Sequence, residues 1–147
     1  MKQTIDILCD LVKSSEGCKL LAYPDPGSGS APYTIGWGST GFGIINGLRW
    51  TQEQADERLH KDLLKVIDKA LLLSPNLIKQ IPQRQAAIAD FIYNCGEGNY
   101  RSSTLKKRVD AGDYPLAMIE ILKWDKASGK VMKGLTIRRR KEAELLR

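Results

Sequence analysis

The feature that most constrains the fold is a change of pattern at residues 18–47. In the segment before it, apolar residues recur at helical spacing and predict a first helix that ends near Gly17, a plausible C-cap. These apolar residues are Ile5, Leu8, Cys9 and Val12. Residues 18–47 instead contain many glycines and prolines, with two short β-favouring pieces at 20–23 and 33–37. The stretch therefore predicts a small hairpin-rich sheet directly after one helix.

Helical patterns return after residue 50. Thr51 followed by Gln54 resembles a capping box, which predicts a helix that runs to about Leu72. Its apolar face is predicted to hold Ala55, Leu59, Leu63, Val66, Ile67 and Ala70. Further helices are predicted at about 83–94, 103–111, 115–124 and 135–146, with breaks at Gly96, Gly98, Gly112 and Gly129.

These patterns together predict an α+β fold in a single domain, residues 1–147. A small β-hairpin lobe is expected at about 14–60 and a larger helical lobe at about 73–147, joined by the long helix. We expect the first helix to pack on the helical lobe.

Composition restricts the class of protein. The chain has 147 residues, of which 42% are hydrophobic and 27% charged, as in globular proteins, and it contains no run long enough to span a membrane. We expect no signal peptide, because Asp6 and Asp10 interrupt the short apolar stretch at 5–12 and no small-residue cleavage site follows it. Three cysteines are an odd number at spacings that match no metal or redox motif, so we expect free thiols in a reducing cytoplasm, with one pair left open. A net charge of +6 will attract acidic partners, namely nucleic acid, anionic lipid or the bacterial wall.

Two carboxylates near the first helix are suited to glycoside hydrolysis, which usually needs an acid and a carboxylate on opposite sides of the scissile bond. Glu16 is predicted at a helix C-terminus, where the dipole disfavours its ionised form and tends to raise its pKa. Asp25 lies in a turn-rich stretch where a carboxylate stays ionised, and the hydroxyl of Thr34 on the returning strand could help it hold a water.

The same residues carry a family resemblance. Residues 16–26, Glu-Gly-Cys-Lys-Leu-Leu-Ala-Tyr-Pro-Asp-Pro, and 33–38, Tyr-Thr-Ile-Gly-Trp-Gly, resemble the active-site signature of the bacteriophage-type lysozymes, the endolysin family of muramidases (glycoside hydrolase family 24). Segments 94–98, 102–105, 111–114, 124–127 and 134–140 are similar to that family's helical lobe in order and spacing.

The resemblance implies a lysozyme-like fold with an active-site cleft between the lobes. It implies hydrolysis of the β-1,4 bond between N-acetylmuramic acid and N-acetylglucosamine in peptidoglycan, with inversion and without a metal or cofactor. Glu16 would be the acid, Asp25 would position or deprotonate the water, and Thr34 would help to hold it. The implied sugar contacts are Tyr93, Asn94 and Ser103, and Trp37 could stack on a sugar face.

The resemblance also implies a setting and partners. We expect an endolysin, a monomer that binds no nucleic acid and has no stable membrane anchor. It would accumulate in the cytoplasm of a phage-infected cell and act on the wall after the membrane is permeabilised.

This chain departs from the family pattern at two places. The turn at 27–32 is longer than usual, and we keep Thr34 because a longer surface loop costs only about half a kcal/mol in closure entropy. The family commonly has a histidine where this chain has Ser39, so any ion pair of that histidine is absent.

The remaining charged groups have ordinary interpretations. His60, the only histidine, is expected to be exposed, and the run 138–141 is expected to be a solvated helix face. If the last helix packs near the first, one of Arg138, Arg139 and Arg140 could pair with Glu16.

Two other functions stay open at this point. A lytic transglycosylase would use Glu16 alone and close the sugar on itself, which Asp25 and Thr34 argue against because they suit the holding of water. A non-catalytic basic module would bind nucleic acid or wall polymer with steep salt dependence and no need for Glu16.

Overall fold

The computed structural model describes all of residues 1–147. The chain divides into two units: residues 12–62 form one, and residues 1–11 with 63–147 form the other, here called the helical unit. The helices are α1 (Lys2–Ser15), α2 (Gln52–Leu73), α3 (Pro82–Cys95), α4 (Glu97–Arg101), α5 (Thr104–Asp110), α6 (Tyr114–Leu122) and α7 (Lys133–Leu146), with a 3-10 helix at Pro75–Lys79. The strands are β1 (Lys19–Tyr23), β2 (Thr34–Gly36), β3 (Lys126–Ala127) and β4 (Lys130–Val131).

Helix α1 forms as its apolar spacing predicts. Ile5, Leu8 and Val12 are buried along it, and the last helical hydrogen bond runs from the amide of Glu16 to the carbonyl of Val12 at 2.8 Å. Gly17 does not adopt the left-handed conformation of a glycine C-cap, so that detail of the prediction is wrong. Residues 16–18 link the end of α1 to the start of β1 at Lys19.

Residues 12–62 contain a small antiparallel sheet. Strands β1 and β2 pair with Tyr23 opposite Thr34, and residues 48–50 add a third extended segment on the other edge of β1. Hydrogen bonds from the amide of Ala22 to the carbonyl of Leu48 and from Trp50 to Leu20, both 2.9 Å, hold that segment. The core of the sheet comprises Ala22, Ile35 and Ile44, with Tyr33, Leu48 and Trp50 packed against it.

A tight turn follows β2. Ile35 and Ser39 exchange backbone hydrogen bonds of 3.0 and 2.9 Å, which leaves Trp37 at the tip between two glycines. Gly36 has a φ of 65°, and a Cβ there would lie 3.1 Å from the Trp50 ring, so both the backbone conformation and the space favour glycine.

Both hydrogen bonds of the predicted capping box are present at the start of α2. The amide of Gln54 donates to Thr51 Oγ1 at 3.1 Å, and the amide of Thr51 donates to Gln54 Oε1 at 2.9 Å. The predicted apolar face is also confirmed, since all of its residues are buried: Ala55, Leu59, Leu63, Val66, Ile67 and Ala70. Helix α2 carries the chain from residues 12–62 into the helical unit.

The helical unit is built around α3, which packs against α7, while α6 packs against α5 and α7. Phe91 lies at its centre, in edge contact with the rings of Tyr100 and Trp124. The buried hydroxyls of Ser74 and Tyr100 share a hydrogen bond of 2.7 Å. The helices predicted over 83–146 are confirmed to within a few residues.

The sequence interpretation missed three short elements: the 3-10 helix at Pro75–Lys79, helix α4 and the β3–β4 hairpin. Gly98 lies inside α4, so its prediction as a break is wrong. His60 is exposed, as expected. No helix of this structure combines the length and apolar content that crossing a membrane requires.

Candidate active site

The β1–β2 hairpin and its turn carry two of the candidate catalytic residues, Thr34 and Asp25. Tyr23 and Thr34 are direct cross-strand partners, so their side chains point to the same side of the sheet. Asp25 follows two residues after Tyr23, beyond the end of β1, at the start of the turn between the strands. Asp25 and Thr34 are both half-buried. The longer turn has therefore kept the pairing of its arms.

The turn after Asp25 closes on this residue. The backbone carbonyl of Asp25 accepts a hydrogen bond from the amide of Gly29 at 2.8 Å. The backbone amide of Asp25 donates to the carbonyl of Ser30 at 2.9 Å. The carboxylate folds back on the turn, where Oδ2 accepts the amide of Ser28 at 3.0 Å. Asp25 is thus held in place by its own loop, while the other carboxylate oxygen stays available to a water.

Glu16 lies between α1 and β1, in the same unit as Asp25 and Thr34. It is half-buried, directly after the last residue of α1. Its backbone is fixed at both ends, because the helix hydrogen bond holds its amide and the sheet begins at Lys19. The Cα of Glu16, from which its side chain extends, is therefore held in place.

Trp37 belongs to a polar group that we call the Asp56 cluster, comprising Lys13, Trp37, Gln52 and Asp56. The indole Nε1–H donates to Asp56 Oδ1 at 2.8 Å, and Gln52 Nε2 donates to the same oxygen at 3.0 Å. The ammonium of Lys13 lies 3.6 Å from this oxygen and 5.3 Å from the centre of the Trp37 ring. The hydrogen bond from Trp37 is the largest of the effects that lower the pKa of Asp56 below its ordinary value.

A second carboxylate of α2 fixes the base of the same tight turn. The buried Ser39 donates its hydroxyl to Asp62 Oδ2 at 3.1 Å, and Arg58 Nε donates to Asp62 Oδ1 at 2.9 Å. Arg58 Nη2 also reaches the carbonyl of Thr40 at 2.9 Å. A neutral hydroxyl and an arginine thus tie the turn to α2.

The sugar-contact candidates Tyr93, Asn94 and Ser103 lie in the helical unit. Tyr93 and Asn94 are half-buried, and Asn94 Oδ1 accepts a hydrogen bond of 2.8 Å from Arg139 Nη2, which fixes the orientation of the amide. Ser103 is buried and caps α5: its hydroxyl accepts the amide of Lys106 at 3.0 Å and donates to the carbonyl of Tyr100 at 2.7 Å. The only hydroxyl hydrogen of Ser103 is thus committed to the Tyr100 carbonyl, so Ser103 could offer a sugar only its remaining lone pair.

The arginine run of α7 is not the solvated face that the sequence suggested. Arg138 and Arg139 are buried, and only Arg140 is exposed. Arg138 binds Asp90 through Nε and Nη2 at 2.9 and 2.7 Å, and Arg139 Nη2 donates to Glu142 Oε1 at 2.7 Å. The prediction failed because charge runs are usually exposed, and the acidic partner on α3 is distant in sequence.

No group of three or more His, Cys, Asp or Glu side chains comes together in a way that would hold a metal ion.

Comparison with known proteins places this chain among its relatives. The family model described as phage lysozyme matches residues 13–142. The chain belongs to the phage lysozyme family. The matched segment contains Glu16, Asp25 and Thr34, together with the whole Asp56 cluster.

The chain is also similar to individual proteins. It is 35% identical over 113 residues to the SAR-endolysin of Bacteriophage PS119, covering 76% of this chain and 66% of that protein. It is 36% identical over 140 residues to the endolysin of Bacillus phage PZA, covering 92% of this chain and 52% of that protein. The chain therefore spans about half to two thirds of the length of these curated relatives.

A solved structure supports the same fold. The muramidase domain of SpmX from Asticaccaulis excentricus superposes with a TM-score of 0.81 at 28% identity, covering 95% of this chain and 94% of that one. The predicted α+β, lysozyme-like fold class is thereby confirmed, with a predominantly helical part and a small hairpin sheet.

Proposed function

We propose that this member of the phage lysozyme family hydrolyses peptidoglycan at the β-1,4 bond between N-acetylmuramic acid and N-acetylglucosamine. The observation that carries the proposal is the hairpin, in which Thr34 pairs with Tyr23, two residues before Asp25, in a sheet that begins just after Glu16. The family match over residues 13–142 supports it, because all three residues lie within the matched segment.

In the proposed reaction, Glu16 donates its proton to the glycosidic oxygen as the bond to the anomeric carbon breaks. A water attacks that carbon from the opposite face, and Asp25 takes up its proton. The hydroxyl of Thr34 can both donate to and accept from this water, which keeps one lone pair of the water directed at the sugar. Because water attacks directly, we propose that the anomeric configuration inverts and that no metal or organic cofactor takes part.

We propose four sugar contacts, Tyr93, Asn94, Ser103 and Trp37. Asn94 can donate from Nδ2, since Arg139 occupies its carbonyl oxygen. Tyr93 and Trp37 offer partly exposed aromatic surface, and Ser103 stays a candidate whose hydroxyl already serves a helix cap. We propose further that the protein acts as a monomer and without nucleic acid, from the cytoplasm of a phage-infected cell once the membrane has been permeabilised.

The test compares the wild-type chain with Glu16→Gln on bacterial cells stripped of their outer membrane. Loss of the general acid should reduce the rate of clearing by at least about 10²-fold, because proton transfer contributes about 10²–10⁴-fold. The matched control is Glu144→Gln, which changes an exposed carboxylate that pairs only with Arg147 at 3.3 Å. Clearing by Glu16→Gln at the control's rate would exclude the proposed role of Glu16.

Product analysis separates the mechanism from its alternatives. Hydrolysis with inversion should release reducing N-acetylmuramic acid ends, with the α-anomer appearing first by nuclear magnetic resonance. Anhydro-sugar ends would instead indicate a lytic transglycosylase. Salt-sensitive binding to the wall without any new reducing ends would indicate a non-catalytic basic module.

A further inference from the structure

A single oxygen atom of Asp56 joins three segments of the chain. Oδ1 accepts hydrogen bonds from Trp37 at 2.8 Å and from Gln52 at 3.0 Å, and it lies 3.6 Å from the ammonium of Lys13. Lys13 belongs to α1, Gln52 to α2, and Trp37 to the tight turn after β2.

Two of these segments carry proposed catalytic residues. Lys13 lies one helical turn before Glu16, and Trp37 follows Thr34 within the same strand-and-turn unit. Gln52 also contacts the chain just after Glu16, because its Nε2 lies 3.7 Å from Cys18 Sγ. The contacts of Asp56 therefore help to set the distance between the segment of Glu16, the proposed acid, and the segment of Thr34, which is proposed to help hold the water.

We infer that Asp56 is a positioning residue for the proposed reaction, acting through Trp37 and Lys13 to fix the Glu16 segment against the Thr34 segment. The inference rests on the proposed function. It differs from a general stabilising role because the reaction needs the acid and the water on opposite sides of one bond, where a displacement of about 1 Å can cost about 10²-fold in rate.

The hydrogen bond to Trp37 is the contact that matters most. The indole N–H can only donate, and a carboxylate makes a stronger acceptor than a neutral oxygen. The Lys13 contact is weaker, because both side chains are about two-fifths exposed, at 39% and 42%, and water screens their attraction. Asparagine at this position would keep an acceptor for the indole, whereas alanine would remove it.

The experiment measures kcat and KM on soluble peptidoglycan glycan strands for Asp56→Ala, Asp56→Asn, Trp37→Phe and the double variant Asp56→Ala with Trp37→Phe. We expect Asp56→Ala to lower kcat about tenfold with KM changed less than about twofold, since misplaced catalytic groups lower kcat rather than binding. Asp56→Asn should retain most of kcat. The double variant should be no slower than Asp56→Ala, because both changes remove the same hydrogen bond.

Asp62→Asn is the matched control. Asp62 lies on the same helix and holds the same turn through Ser39, but it makes no contact with Trp37. It should lower the melting temperature and leave kcat unchanged at temperatures well below the transition. A wild-type kcat in Asp56→Ala, or an equal loss of kcat in Asp62→Asn, would overturn the inference.

The two proposals fail in distinguishable ways. If Glu16→Gln retains full activity, the proposed reaction is wrong. If Glu16→Gln is inactive while Asp56→Ala has a wild-type kcat, the reaction stands and only the positioning role of Asp56 is excluded.

Discussion

The carboxylate of Asp25 has a structural role in the turn and a proposed role as the base. Its Oδ2 accepts the amide of Ser28 and so closes the turn between the hairpin arms, while the proposed reaction needs a charged oxygen that takes a proton from water. The two roles differ in chemistry, because any side-chain oxygen can accept the amide but only a carboxylate can act as the base.

Replacing Asp25 should separate these roles. Asp25→Asn keeps an oxygen for the Ser28 amide, so its melting temperature should stay near that of the wild type while wall clearing falls by about 10²-fold or more. Asp25→Ala should lose activity to the same extent and also lose about 1 kcal/mol of unfolding free energy, the usual value of one hydrogen bond. Turbidity and urea denaturation measure the two effects, and a wild-type clearing rate in Asp25→Asn would contradict the proposed base.

At this scale, sequence reasoning identified residues whose signal is local. Glu16, Asp25 and Thr34 stand within one short stretch, so a turn pattern and a family signature suffice to single them out. Asp56 and the acidic partner of Arg138 gave no such signal, because a carboxylate on a helix is ordinarily a solvated group. Their roles depend on partners brought near by the fold, such as Asp90 for Arg138.

At the scale of elements, length decides what the sequence predicts. Helix α2 was predicted closely, because a capping box and a long apolar face agree over many turns. Helix α4 and the β3–β4 hairpin were missed, since pieces of five and two residues are too short to show a period. Gly98 illustrates the error: a glycine inside a short helix has the same local signal as a glycine between helices.

The turn after β2 is tied to α2 by a serine and an arginine. Ser39 donates to Asp62, and Arg58 adds bonds to Asp62 and to the carbonyl of Thr40. Neither serine nor arginine changes its charge between pH 5 and 8, whereas histidine does.

Ser39→Ala should therefore lower the free energy of unfolding by about 1 kcal/mol, because the buried hydroxyl loses its bond to Asp62. The loss should be the same at about pH 5.5 and pH 7.5, since no histidine takes part in this tether. Urea denaturation at the two pH values measures both points. An unchanged stability would mean that Arg58 alone holds the turn to α2.

At the scale of the whole molecule, the uneven distribution of charge is the main finding. Asp and Glu slightly outnumber Lys and Arg between residues 12 and 62, so the excess positive charge of the chain lies in the helical unit. Part of that charge is buried: Arg138, Arg139, Asp90 and Glu142 form a network between α3 and α7. Buried charges are costly unless paired, which explains why the two arginines and the two carboxylates occur together.

Glu142 is the member of this network whose protonation should affect stability. Arg139 Nε lies 2.7 Å from its Oε2 but is poorly aligned for a hydrogen bond. Burial, followed by a hydrogen bond with Asp90, raises the pKa of Glu142 well above its ordinary value, and these effects outweigh the attraction of Arg139. The folded protein therefore holds the Glu142 proton more tightly than the unfolded chain does.

The contribution of Glu142 to the unfolding free energy should then decrease as pH rises. The contribution of Glu142 is complete below the ordinary glutamate pKa of about 4.3 and is lost as pH rises through the raised value of the folded state. Because glutamine does not titrate, the unfolding free energy of Glu142→Gln minus that of the wild type should increase as pH rises from about 4 to about 8. Urea denaturation across this range measures the difference, with the exposed Glu144→Gln on the same helix as the control. A difference that stays level or shrinks would mean that Glu142 is ionised throughout and that its pairing with Arg139 prevails over burial.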